Sequence, residues 1–127
     1  MKRLSIVLLL LCVSACNRVQ PIYTVQDHAI PTAARGQKTE QITLLITQAA
    51  RSNGWLVDPV SPNEVRATQK WKDHSAVVRI SHNDQVFSIR NDGSTNLLQQ
   101  NDTIHRAYNA RIRALESAIE KRLYQNP

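Results

Sequence analysis

Histidine is the side chain best suited to moving a proton near neutral pH, and this chain has four: His28, His74, His82 and His105. No two of them stand four apart, the spacing that would place both rings on one helix face, and no nearby Glu completes a helical metal-hydrolase pattern. His74 and His82 bracket a run that alternates like a strand. At about 3.3 Å per residue they are roughly 26 Å apart, too far to share one small ligand. His105 falls where a helix begins and is expected to bond a local backbone group. His74 and His105 are the pair that folding can bring nearest to a common sheet edge, so an enzyme would need them plus an Asp or Glu in one pocket. The expectation is that no such pocket forms and that the histidines are dispersed, His74 in a hairpin turn and His105 at its helix start.

The other reactive types are weaker candidates. Serines 75, 81, 88 and 94 lack the Gly-x-Ser-x-Gly context of a nucleophile elbow. Asp92-Gly93-Ser94 and Asn101-Asp102 cluster oxygen ligands around turns, but their spacing is not that of a calcium loop, and turn chemistry accounts for them without a metal. Glu64, Glu116 and Glu120 fall on expected wet faces rather than as a facing pair for glycoside hydrolysis. No catalytic residue, cofactor site or metal site is therefore assigned. Trp71, between Lys70 and Lys72, forms the best interaction patch the sequence offers if its ring is exposed, with packing at the core rim as the alternative.

The elements that must position these residues follow from periodicity. Ile42, Leu45, Ile46, Ala49 and Ala50 recur at helical spacing after a cap at Thr39 with Glu40 behind it, and Asn53-Gly54 stops that helix. A short strand at Trp55-Leu56-Val57 precedes alternating runs through Val65 to Trp71, Ala76 to Ile80 and Val86 to Arg90. Short turns between them imply antiparallel hairpins. A polar loop interrupted by Leu97-Leu98 leads to Asp102, the expected cap of the last helix. There Ile104, Tyr108, Ile112, Leu115, Ile119 and Leu123 make one apolar stripe, with Arg106, Asn109, Arg113, Glu116 and Glu120 opposite it. The expected fold is α+β: an antiparallel sheet of three to four strands with an N-terminal and a longer C-terminal helix packed on one face.

Ahead of that domain, the first sixteen residues, MKRLSIVLLLLCVSAC, read as an export leader: Lys2 and Arg3, then an apolar run too short to span a bilayer. Val13-Ser14-Ala15-Cys16 resembles the lipobox of bacterial lipoproteins, which implies cleavage before Cys16 and acylation of its sulfur. The organisation expected is a signal peptide over 1–15, a lipidated N-terminus and extended tether over 16–38, and one globular domain over 39–127. Within the tether, Ile22, Tyr23, Val25 and Ile30 are apolar enough that docking of the PIYTV stretch on the domain stands beside a loose spacer. Cys12 leaves with the leader and Cys16 is consumed by lipid, so the mature domain has no thiol for a disulfide, a redox role or a metal. Sixteen Lys and Arg against ten Asp and Glu give +6 overall. Roughly +4 remains after Lys2 and Arg3 are removed, spread along the chain as on a solvated surface.

Several stretches beyond the leader, in this order, resemble a group of small Gram-negative lipoproteins without an established activity. They are Pro21-Ile22-Tyr23, Gly54-Trp55, His74-Ser75-Ala76-Val77-Val78, Phe87-Ser88-Ile89, Asn96-Leu97, and Ile104-His105 followed by Tyr108-Asn109 and Ile112. This chain departs from that pattern at Asn91, where an aromatic is usual, and at Ala110-Arg111, where Gly-Trp is usual. The resemblance, with Asn17 rather than Asp after the lipidated Cys, implies an outer-membrane anchor and a periplasm-facing domain.

The expected function is a lipid-anchored, non-enzymatic interaction or accessory module of the cell envelope. Its partners would be the membrane and an unidentified envelope protein, and nucleic acid is disfavoured by the export address. Two rivals stand beside it: a binder of a small ligand or of peptidoglycan through the open sheet face, and a small envelope hydrolase using His74 or His105.

Overall fold

The structure is a computed structural model that describes residues 18–125, so the leader and the expected acylation site at Cys16 lie outside the described residues. Nine elements follow one another: β1 (Val19–Pro21), β2 (Val25–Ala29), α1 (Thr39–Ser52), β3 (Leu56–Ser61), β4 (Glu64–Trp71), β5 (His74–His82), β6 (Val86–Asn91), β7 (Thr103–His105) and α2 (Arg106–Gln125). Five strands form one antiparallel sheet in the order β2-β6-β5-β4-β3, and β1 pairs with β7 in a separate antiparallel ribbon. The α+β class and the two helices are as expected. The strand count is larger than three to four, because chain expected to be tether supplies β1 and β2, and the residues expected to open the last helix behind Asp102 form β7.

Register explains which face is buried. Val57 pairs with Ala67, Ala67 with Val78, Val65 with Ile80, Ile80 with Ile89, and Ile89 with Val25, and directly opposed residues share a face. All seven are buried in one cluster with Ile42, Leu45, Ile46, Ala49 and Ala50 of α1 and Tyr108, Ile112, Leu115, Ile119 and Leu123 of α2. The other face holds the alternate row, Asp58, Arg66, Arg79 and Arg90, again register partners. Val77 is buried on that side because the segment after β6 folds back over it: Ser94 Oγ accepts its N–H at 2.9 Å and Asp92 N–H donates to its carbonyl at 2.7 Å.

The helix ends differ in detail from expectation. Thr39 is the first residue of α1 rather than its cap; Lys38 holds the cap position and no side chain caps the helix, although Glu40 favours the positive end of the dipole. At the other end Asn53 caps and Gly54 turns at φ +87°, where a Cβ would stand 2.9 Å from Gln69 Nε2. Asp102 does not cap the last helix, since β7 intervenes. Instead the first amides of α2 are met by the carbonyl of Arg18, which accepts from Arg106 N–H at 2.8 Å, and by His105 Nδ1, which accepts from Ala107 N–H at 3.0 Å.

From residue 19 onward the docking alternative holds, and the domain boundary expected at residue 39 is corrected accordingly. β1 and β2 are paired strands, and Val25, Ile30 and Ala34 are buried. A third element fixes them. Asn109, expected on the wet face of α2, is only 3 % exposed: its Oδ1 accepts Tyr23 N–H at 2.8 Å and its Nδ2 donates to Pro21 carbonyl at 2.8 Å. The amide side chain thus substitutes for a strand partner between β1 and β2.

Candidate functional site

At the end of the sheet where β4 turns into β5, four planar groups lie in sequence. The Arg111 guanidinium of α2 sits 3.8 Å from the centre of the Trp71 ring, Trp71 and His74 have centroids 5.4 Å apart, and His74 and His105 5.9 Å apart. The expected dispersal of the histidines is therefore corrected for this pair. The cause is the segment after β6: Thr95 pairs with Ser75, and His105 N–H donates to Leu97 carbonyl at 2.8 Å, which brings β7 against the β4–β5 turn.

Both rings nevertheless have structural bonds. His74, at the hairpin turn as expected, donates Nδ1–H to Asn96 carbonyl at 2.5 Å and has Nε2 3.6 Å from Asp73 Oδ1. His105 uses Nδ1 as an acceptor at the start of α2. Burial, followed by the neighbouring His74, Arg106 and Arg18, pushes its pKa below the ordinary value, in keeping with a ring that must keep a lone pair. Among the described residues no group of three or more His, Cys, Asp or Glu is placed to hold a metal ion.

Trp71, Lys70 and Lys72 are not brought into one patch. Trp71 faces the helices, half-buried against the core and covered by Arg111. Lys70, its neighbour in the strand, points to the opposite face, and Lys72 occupies the turn at φ +52°. Both lysines are exposed.

A second cluster escaped sequence reasoning. Tyr23 O–H donates to Glu116 Oε2 at 2.5 Å, His28 Nδ1–H donates to Glu116 Oε1 at 2.7 Å, and His28 Nε2 lies 3.6 Å from Glu120. His28 also stacks on Phe87 at 4.7 Å, and the Arg113 guanidinium covers the Tyr23 ring at 4.1 Å. Glu116, expected on a solvated face, is instead the point where α2 fastens β2 and the segment before it. The hydrogen bond to Glu116, with burial, holds the Tyr23 phenol above its usual pKa, so it stays a neutral donor. The signal for this cluster was the spacing of Asn109 and Glu116, two helical turns apart on one side of α2, beside an unexplained Ile-Tyr in the supposed tether.

The third feature is the sheet face left open by the helices. Asp92 Oδ2 accepts from Arg66 Nε at 3.0 Å and from Arg79 Nε at 3.1 Å, and Arg79 Nη1 donates to Glu64 at 2.7 Å. The hydrogen bond to Arg79 holds the Asp92 carboxyl below the usual range, so this side chain of the Asp92-Gly93-Ser94 turn is engaged by arginines. Arg90, next in the row, is exposed and makes no ion pair with another described residue. Beside the array, Asp27, Asn63, Ser81, Asn83 and Ser88 help to line a recess of about 240 Å³.

No family model, curated protein or solved structure matches this chain.

Proposed function

We propose that this chain is a lipid-anchored interaction module of the cell envelope, held by Cys16 in the outer membrane and facing the periplasm, which works by docking a protein partner rather than by catalysis. The open face of the five-stranded sheet carries this reading. Arg66, Arg79 and Arg90 stand side by side across three strands, and Glu64 and Asp92 fix the first two in place. Side chains already held in one geometry lose little freedom on binding, and a mixed array in which Arg90 has no ion-pair partner among the described residues suits a partner surface carrying carboxylates. The histidines that an enzyme would use are instead bonded to backbone, which supports the non-catalytic reading.

A photo-crosslinking residue placed at Arg90 in cells, compared with one at the exposed Ser117 of α2, tests the proposal. One discrete protein adduct at position 90 and none at 117 is expected, and Arg66→Glu should weaken it. Equal labelling at both positions, or none at 90, overturns the docking face. The recess beside the array favours a second reading, binding of a small polar ligand or a peptidoglycan fragment, and glycan in the adduct at 90 would identify it.

A further inference from the structure

The short stretch of sequence between Cys16 and the first bonded residues limits how the domain can sit on a bilayer. Arg18 is only two residues beyond Cys16, a reach of at most about 7 Å. It is already fastened, its carbonyl bonded to Arg106 N–H, and Val19 is paired with His105. No slack is left between an acyl anchor and the folded domain, so the surface around Arg18 must lie against the headgroups.

That surface has the chemistry for the task. Arg18 and Arg106 are exposed, and Arg106 and Arg113 line a groove floored by Ala107 and Ala110. Val19 and Leu98 share the neighbouring recess. Leu98 is 57 % exposed, and it is held out by a loop with three non-glycine residues at positive φ: Asn96 at 56°, Leu98 itself at 53° and Asn101 at 50°. A leucine in the left-handed region, presented to solvent, is held there by the surrounding structure at a conformational cost. Two carboxylates also stand at this loop end: Asp73, which accepts from Asn96 Nδ2 at 2.7 Å, and Asp102, and both are exposed.

We infer that this end of the domain docks directly on the bilayer that holds the anchor, with Leu98 entering the headgroup layer and Arg18 and Arg106 meeting lipid phosphates. The inference rests on acylation of Cys16. It differs from the docking face proposed above, which involves the open sheet face and a protein partner. An exposed apolar side chain on the same end of the domain as exposed arginines suits an anionic phospholipid surface, in which basic groups bind phosphate and apolar groups sit at the acyl boundary.

The test uses the acylated full-length mature chain reconstituted in vesicles of phosphatidylethanolamine and phosphatidylglycerol. With the Cys16 sulfur acylated, Leu98→Cys offers a single free thiol for an environment-sensitive fluorophore. Val60→Cys serves as the comparison, because it is exposed near the Glu64 end of β4, seven residues and roughly 23 Å along the strand from Trp71. Label at position 98 is expected to shift to the blue and to be quenched at least about threefold more than label at 60 by nitroxide-bearing lipid. Combining it with Arg18→Gln and Arg106→Gln should reduce that difference. Water-like emission at 98, in protein whose mass shows an acylated Cys16, overturns the docking and leaves the anchor intact. A mass without acyl groups overturns both.

Discussion

Asn109 shows what one polar side chain can hold. With its donor and acceptor both spent on the backbone between β1 and β2, Asn109→Ala leaves the Tyr23 amide and the Pro21 carbonyl without partners. A buried unmet group costs about 1 to 3 kcal/mol. The expected outcome is a denaturation midpoint lowered by that order, with faster amide exchange at Tyr23 than in α1. His82 gives a pH-dependent counterpart. It is 7 % exposed, with Nε2 2.7 Å from Thr43 Oγ1, and burial drives its pKa below the ordinary 6.5, as it also does for His105. The fold therefore prefers both rings neutral, and between their lowered values and 6.5 the unfolded chain binds more protons. Stability should be insensitive to these rings above pH 6.5 and fall as the pH drops below it. Urea midpoints measured from about pH 7.5 to about pH 5 check this, and His82→Gln should flatten the slope over that window.

Elements with one strong period were legible before the fold was known. All five apolar positions read into α1 are buried, as are Tyr108, Ile112, Leu115, Ile119 and Leu123 of α2, because helical spacing reports the buried stripe directly. The hairpins through β4, β5 and β6 were legible for the same reason at a period of two. β2 was hidden because its alternation is broken: the register slips between Val25 and His28, with Asp27 at φ +51°, and β1 and β7 have only three residues each. Glu116 and Asn109 read as solvated because their partners arrive from 93 and 86 residues away. The Trp71–His74–His105 line was half legible: the turn placed His74, but only the return of the loop after β6 places His105 beside it. For the helix itself, Ile112→Ala or Leu115→Ala should each cost about 2 to 5 kcal/mol, since both side chains are fully buried. Denaturant melts would measure it, and an unchanged midpoint for both would falsify the assignment of that face to the core.

At the scale of the whole molecule, the N-terminal strands cover an edge. β2 shields β6, the strand that carries Phe87 and Ile89 into the core. Removing residues before Ile30 should uncover that edge, and the shortened chain is expected to self-associate, which light scattering or sedimentation would show against a full-length control. The same topology sets an order in time. β1 can close only on β7 and β2 only on β6, and the amide of Tyr23 waits for a side chain 86 residues further along. Contacts of such separation form late, so the first strands to leave the ribosome are among the last to settle. For a chain exported N-terminus first, as the proposed leader requires, the enzymes that cut and acylate at Cys16 would meet an open segment, before Asn109 had drawn the strands behind it into place.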